Sequence, residues 1–361
     1  MTKRRGTRRA TKRRSPVWAK IFVGFGSILM VVSAATVGYA NIMLNQVNNS
    51  VTNENLLGND AEPGDDIVGP LNFLMIGADL RPTDNREHAL ADTIMILHIN
   101  ESLTAANIIS IPRDLRVTIQ DCGTLYTSPC ETKINDAYPA GGPSVKGSVQ
   151  NLAKTVTDVT GVEFDGAAIV NFEGFIDVVK TLGSVELCVP FEMTVAHPKG
   201  KVFPKGCADY GYKDALSLVR ERYAYVPENP EVPADWGYYD YGRQHMQQHF
   251  IKQLLKEAND QGYISDPTKV GSLIQEIGDQ LVLDLGGHTP VDFAFALRGI
   301  QPSKLVNIRV PSEPAEIDDV SYVVIQPGEQ QAKSQALFKA IRSDQLDTWV
   351  AANPDWINGE D

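Results

Sequence analysis

Charged residues border three short apolar runs early in the chain. Asp79 and Arg81 follow "LNFLMIG", Asp92 sits in "ADTIMILHI", and Arg113 and Asp114 follow "IISIP". A single such residue beside a strand is ordinary, but carboxylates crowded among several arginines serve no purely structural need. A hard divalent cation between the carboxylates, with a phosphate between cation and guanidinium groups, balances the set. Phosphate binding is therefore the chemistry these residues suggest. The second half adds Arg220 and Arg222 in "LVRERYAY", and Arg243 and Gln247 in "YDYGRQHMQQHFI". Positions two apart on a helix point about 200° away from each other, so both arginines reach one ligand only if the helix ends there. Pro227 and Pro230 favour such an ending. Arg243 and Gln247 share a face at the start of a helix, whose free N–H groups also attract anions. Four arginines from three segments can thus converge on one polyanion.

These side chains need a scaffold. Leu71–Ile76, Thr93–Ile99 and Ile108–Ile111 read as strands covered on both faces. A helix over 143–159 is predicted from Val145, Val149, Leu152, Val156 and Val159, with Gly161 as its stop. Strands at Gly166–Phe172 and Val185–Val189 flank a second helix, Glu173–Leu182. Further helices are expected from Lys213 to Arg220 and from Arg243 to about Asn259, the latter with Met246, Phe250, Ile251, Leu254 and Leu255 inward; more strands follow at Leu305–Val310 and Tyr322–Ile325. This alternation is α/β, expected as a three-layer α/β/α domain. Ligands collect at the carboxyl ends of strands in such sheets. Because Asp92 precedes its run, it joins Asp79 and Arg113 only if its strand runs opposite to theirs, which predicts a mixed sheet.

The N-terminus narrows the setting. Of 33 basic and 45 acidic residues, nine basic ones (Lys3, Arg4, Arg5, Arg8, Arg9, Lys12, Arg13, Arg14, Lys20) and no acid lie in residues 1–20. Residues 21–40, "IFVGFGSILMVVSAATVGYA", carry no charge and at about 1.5 Å per residue would span a bilayer core of roughly 30 Å. The expected order is a cytoplasmic tail (1–20), a membrane helix (21–40), an Asn- and Gly-rich extracellular linker (41–69), a domain at 70–345 and a tail at 346–361. Gly38-Tyr39-Ala40 offers a signal-peptidase alternative, but the apolar stretch exceeds the usual length. The basic tail needs no nucleic acid, since the positive-inside rule accounts for it and the acidic remainder would repel phosphate backbones. Cys122, Cys130, Cys188 and Cys207 allow three pairings. The local one, Cys122 with Cys130 and Cys188 with Cys207, is expected because each closes a small loop, and the absence of a C-x-x-C speaks against zinc.

The ordered series GADLR, ADT, IPRD, TKIN (Thr132 to Asn135), VRER and DYGRQ with a following Gln247, behind one membrane helix, resembles the LytR-CpsA-Psr family of cell-wall glycopolymer ligases. The likeness runs from Leu71 to Ile251 and loosely on to about residue 345. It implies transfer of a glycopolymer from a polyprenyl-pyrophosphate carrier to a peptidoglycan hydroxyl, with release of polyprenyl phosphate. It further implies that Asp79 and Asp92 hold Mg²⁺, while Arg113, Arg220, Arg222 and Arg243 grip the pyrophosphate and Arg81, Lys133 and Gln247 assist. Asp92 and Asp114 are the carboxylates from which a general base would come. The lipid would need an apolar slot, which the helices at 143–159 and 173–182 could line, although ordinary core accounts better for any single apolar residue on them. One departure stands out: Met246 occupies a position where the family often has Arg. A non-catalytic polyprenyl-phosphate binder or envelope regulator is the alternative, separated from the enzyme by turnover.

Overall fold

The computed structural model describes residues 52–58, 66–78, 90–170, 172–234, 236–263, 269 and 281–358. The expected membrane segment 21–40 and the site residues Asp79 and Arg81 lie outside them. No helix among the described residues is long and apolar enough to cross a membrane.

In chain order the strands are β1 (Thr52–Asn53), β2 (Leu71–Ala78), β3 (Ala91–Ile99), β4 (Ala106–Ile111), β5 (Arg116–Ile119), β6 (Cys130–Lys133), β7 (Gly166–Val170), β8 (Val185–Val189), β9 (Met193–Val195), β10 (Lys201–Phe203), β11 (Gly206–Tyr210), β12 (Leu281–Asp284), β13 (Leu305–Arg309), β14 (Glu313–Ile317), β15 (Val320–Val324) and β16 (Ile357–Asn358). Eight of them form the central sheet, in the order β1-β12-β7-β2-β3-β4-β13-β16. β3 runs antiparallel to both β2 and β4, whereas β2 with β7 and β4 with β13 are parallel. The sheet is mixed, as the position of Asp92 requires: the start of β3 lies at the same sheet edge as the ends of β2 and β4.

Alternate residues of each strand face opposite layers. Ile94, Ile96 and Ile109 pack with Val149, Leu152 and Val156 of the helix Val145–Thr160 and with Leu337 of the helix Glu329–Arg342. Met95, Ile99 and Ile108 pack on the other face with Phe293 and with Ile251 of the long helix Asp240–Asp260. Val149, Leu152 and Val156 are fully buried in that first layer, the ordinary core that any single apolar residue of this helix was expected to be.

Several boundaries differ from expectation. The long helix begins at Asp240, three residues early. Its buried stripe includes the polar Gln244, His245 and Gln248 beside Met246 and Phe250, while Leu255 is exposed. Gln248 explains its own burial: Nε2 donates to the Ser110 hydroxyl at 2.8 Å and to the Ile308 carbonyl at 3.0 Å, locking the helix across β4 and β13. The expected strand near Tyr322 belongs to a separate β14–β15 hairpin. Part of the expected linker lies in the fold, with β1 at the sheet edge and Leu56 fully buried. The expected tail contributes a helix, Leu346–Ala352, with Trp349 buried, and the edge strand β16.

A smaller core joins the β8–β11 pair to the helices Tyr212–Arg220 and Asp240–Asp260. Gly242 is there for space: a Cβ on it would lie 2.3 Å from Cγ of the fully buried Tyr225. Next to it, His245 stacks flat on Trp236, ring centroids 3.9 Å apart. Burial pushes the His245 imidazole down to about pKa 3, helped by His249 and Arg309. An unfolded histidine titrates near 6.5, so this group's stabilising contribution is whole above that pH and is lost, by about 1.4 kcal/mol per unit, as pH falls towards 3. Thermal denaturation at pH 7 and pH 4.5 should therefore show a larger drop for the wild type than for His245→Phe. Equal drops would show that this imidazole does not carry the acid sensitivity.

Candidate active site

One edge of the sheet gathers most of the predicted residues. Asp92 enters β3, Arg113 and Asp114 leave β4, Lys133 ends β6, and Asp240 and Arg243 occupy the first turn of the long helix. The Arg113 guanidinium hydrogen-bonds Asp92 through Nη1. Its Nε lies 3.7 Å from both Asp114 Oδ2 and Asp240 Oδ1. Lys133 Nζ holds the other oxygen of Asp114 at 2.9 Å. Arg243 Nη2 pairs with Asp240 Oδ1 at 2.5 Å and donates to the Asp92 carbonyl at 3.0 Å. Two arginines, one lysine and three aspartates thus alternate around one point.

The two arginines sit differently in this field. Burial opposes the charge on Arg113, but Asp240, Asp92 and Asp114 together outweigh it and raise the pKa. Arg243 is more deeply buried, and burial lowers its pKa despite Asp240, with Arg113 and Arg222 adding repulsion. Nε of each has no hydrogen-bond partner among the described residues. Guanidinium groups crowded at one point offer what phosphate oxygens accept, charge-assisted and bidentate hydrogen bonds.

The segment "RER" behaves as the spacing demanded. The helix Tyr212–Arg220 stops at Arg220, and Glu221 adopts an extended backbone. Glu221 is buried and its carboxylate accepts from the N–H groups of Arg222, Tyr223 and Ala224 through one oxygen and of Ala196 through the other. That inward carboxylate turns Arg220 and Arg222 outward on either side. Arg220 is exposed, and Arg222 lies over the Tyr223 ring at 4.8 Å. Gln247 ties this turn to the cluster, its Oε1 accepting from Thr93 Oγ1 at 3.1 Å and its Nε2 donating to the Val219 carbonyl at 3.4 Å. Glu221→Ala would strand four N–H groups in a buried turn, an expected loss of about 2–3 kcal/mol in denaturant unfolding. An unchanged midpoint would remove Glu221 as the organiser of the turn.

Three contributors escaped sequence reading as site residues. Asp240 stands in the quoted motif, and an acid in a helix's first turn three residues before an Arg was a usable signal. For Glu221 the available signal was an acid at a helix C-terminus, against the dipole. Tyr322, whose ring lies 5.9 Å from Lys133 Nζ and 5.8 Å from Arg116, arrives from a distant hairpin and left no local signal.

For a cation, the donors at hand are hard oxygens. Asp92 is partly exposed, and its Oδ2 has no hydrogen-bond partner among the described residues. Ala78, the residue before Asp79, pairs with Ala91, the residue before Asp92. Such a donor set fits Mg²⁺ better than a softer metal. Among the described residues the sole set of three His, Cys, Asp or Glu side chains close enough to share a metal is Glu186 with Cys188 and Cys207, and both thiols are spent in a disulfide. The expected pairings Cys122–Cys130 and Cys188–Cys207 are both present.

A sequence profile of the LytR_cpsA_psr family matches residues 37–339. A polyisoprenyl-teichoic acid–peptidoglycan teichoic acid transferase TagU of Halalkalibacterium halodurans is 24% identical over 89% of this chain and 98% of its own. The cell wall biosynthesis protein LcpA of Corynebacterium glutamicum is 25% identical over 70% of this chain, which spans about half (52%) of that relative. Among solved structures, a Streptococcus agalactiae protein superposes with a TM-score of 0.60 at 19% identity, covering 76% of this chain and 88% of its own. TagT bound to LIIa-WTA gives 0.58 at 22% identity, covering 79% and 93%. At these identities the superpositions establish the α/β fold with its central mixed sheet.

Proposed function

We propose that this chain, which belongs to the LytR-CpsA-Psr family, is a transferase that attaches a polyprenyl-pyrophosphate-linked glycopolymer to peptidoglycan. The observation that carries the reading is the sheet-edge cluster in which Arg113 and Arg243 are packed together, close enough to Arg222 of the neighbouring turn for the charges to repel. Relatives named as teichoic acid transferases support the reaction class.

The acceptor hydroxyl attacks the phosphorus nearer the glycan, a new P–O bond forms, and the bond to the bridging oxygen breaks. Polyprenyl phosphate leaves, carrying that oxygen. Phosphoryl transfer asks a protein mainly for positioning and charge stabilisation. Arg113 and Arg243 hold oxygens of the pyrophosphate from inside the sheet edge, and Arg220 and Arg222 hold it from the opposing turn. Lys133 keeps Asp114 in place, and Asp240 fixes the angle between the two buried arginines. Asp92 or Asp114 takes the acceptor's proton. Mg²⁺ held by Asp79 and Asp92 would neutralise further charge on the pyrophosphate as a Lewis acid. In this reading residues 21–40 anchor the chain in the cell membrane, with the basic tail inside and the domain outside, within reach of lipid-linked donor and wall.

The test is incubation of the full-length chain, in detergent, with a polyprenyl-pyrophosphate-linked oligosaccharide, a peptidoglycan oligomer and Mg²⁺. Release of polyprenyl phosphate that depends on the acceptor supports the enzyme. Saturable lipid binding with no product across several acceptors selects the non-catalytic binder instead.

A further inference from the structure

The long helix has a second charged face. His245, His249, Lys252 and Lys256 recur at spacings of four, three and four, which places them within about 60° of one another on the helix and roughly opposite Arg243 and Gln247. That face opens into a cavity of ≈ 630 Å³ between the helix and the segment 298–307. Arg298 approaches from that segment, so Lys252, Lys256 and Arg298 share the cavity, and no carboxylate among the described residues lines it. Elsewhere acids outnumber bases heavily: excluding residues 1–20, 24 basic residues face 45 acidic ones. A concave pocket of the minority sign concentrates counter-ions.

The rest of the lining says what kind of anion fits. Asn307 and His245 are buried, and Asn307 Oδ1 and His245 Nδ1 have no hydrogen-bond partner among the described residues. Amides of Gln253 and Gln301 and the Ser303 hydroxyl add donors and acceptors suited to sugar hydroxyls. Among the described residues the lining has no Phe, Tyr or Trp on which a nucleobase would stack. With only Ile300 and Pro302 as apolar surface, the cavity does not suit a lipid tail either.

The geometry points to a second ligand site in this cavity, distinct from the pyrophosphate cluster, that takes an acidic saccharide: a sugar bearing a phosphate or a carboxylate. Lys256 and Arg298 receive the acid group at the mouth, where both are exposed, and the Gln253 and Gln301 amides and the Ser303 hydroxyl read the sugar hydroxyls. The inference does not depend on the transfer reaction, since binding is measured without donor or acceptor.

Calorimetric titration of the full-length chain in detergent with glucose 6-phosphate, glucuronate, inorganic phosphate and glucose tests it. Glucose 6-phosphate and glucuronate should bind, glucose should not, and inorganic phosphate should bind at least fivefold more weakly than glucose 6-phosphate. Lys256→Glu with Arg298→Glu should weaken the two acidic sugars at least tenfold, and the Gln pair should give an intermediate loss. Arg220→Ala should leave glucuronate binding unchanged. Unaltered affinity in the Glu pair at a preserved melting temperature overturns the site. So does phosphate binding as tightly as glucose 6-phosphate, which would mean a bare anion hole. Should the Glu pair fail to fold, the Gln pair decides by the same criterion.

Discussion

Arg113→Ala is expected to lower glycopolymer transfer by roughly 10²-fold or more, by analogy with the loss of a donor that stabilises developing charge. Among the described residues, Arg113 is the guanidinium that touches the Asp92 carboxylate while lying beside Asp114 and Asp240. Its removal deletes hydrogen bonds that strengthen as charge builds on the departing polyprenyl phosphate. Lys should rescue only partly, because a point charge cannot reproduce a planar two-pronged contact. Arg220→Ala, at an exposed position, should lose activity on a similar scale with little change in melting temperature. Steady-state transfer assays alongside melting curves separate the cases. Normal transfer in both variants with lowered stability in Arg113→Ala would make the cluster a structural ion network.

The largest expected stability effect belongs to Asp240→Ala. Asp240 Oδ1 stands 2.5 Å from Arg243 Nη2 and 3.7 Å from Arg113 Nε, and both Asp240 and Arg243 are buried. Removing it leaves two neighbouring guanidinium groups facing each other without their shared counter-charge, a loss of about 3–5 kcal/mol. Asp240→Leu combined with Arg243→Met replaces the pair by apolar groups and should recover most of that stability while transfer stays low. Denaturant unfolding checks the first part and the assay the second. If Asp240→Ala unfolds at the wild-type midpoint, the carboxylate does not hold the arginines together.

The sequence made the sheet readable because its strands are continuous apolar runs, and Asp92 on the wrong end of its run already implied an antiparallel neighbour. The end of the helix at Arg220 was likewise forced by two arginines two residues apart. Legibility failed where partners come from afar. Gln248 and His245 look like surface residues in a helical window, yet Gln248 bonds β4 and β13 and His245 lies on Trp236. Trp349 and β16 looked like a tail because a single buried indole and a two-residue edge strand carry no period. Asp240 was missed as a site residue because its role is set by Arg113, far away in sequence.

The most direct measurement of the central claim follows the two phosphates separately. A polyprenyl-pyrophosphate-linked oligosaccharide is labelled with ³²P either at the sugar-proximal or at the lipid-proximal phosphate and incubated with the full-length chain, Mg²⁺ and peptidoglycan. The account predicts that sugar-proximal label enters the wall fraction in a phosphodiester and lipid-proximal label stays in polyprenyl phosphate. Both labels remaining with the lipid would mean that the glycosyl bond breaks instead, and would contradict it.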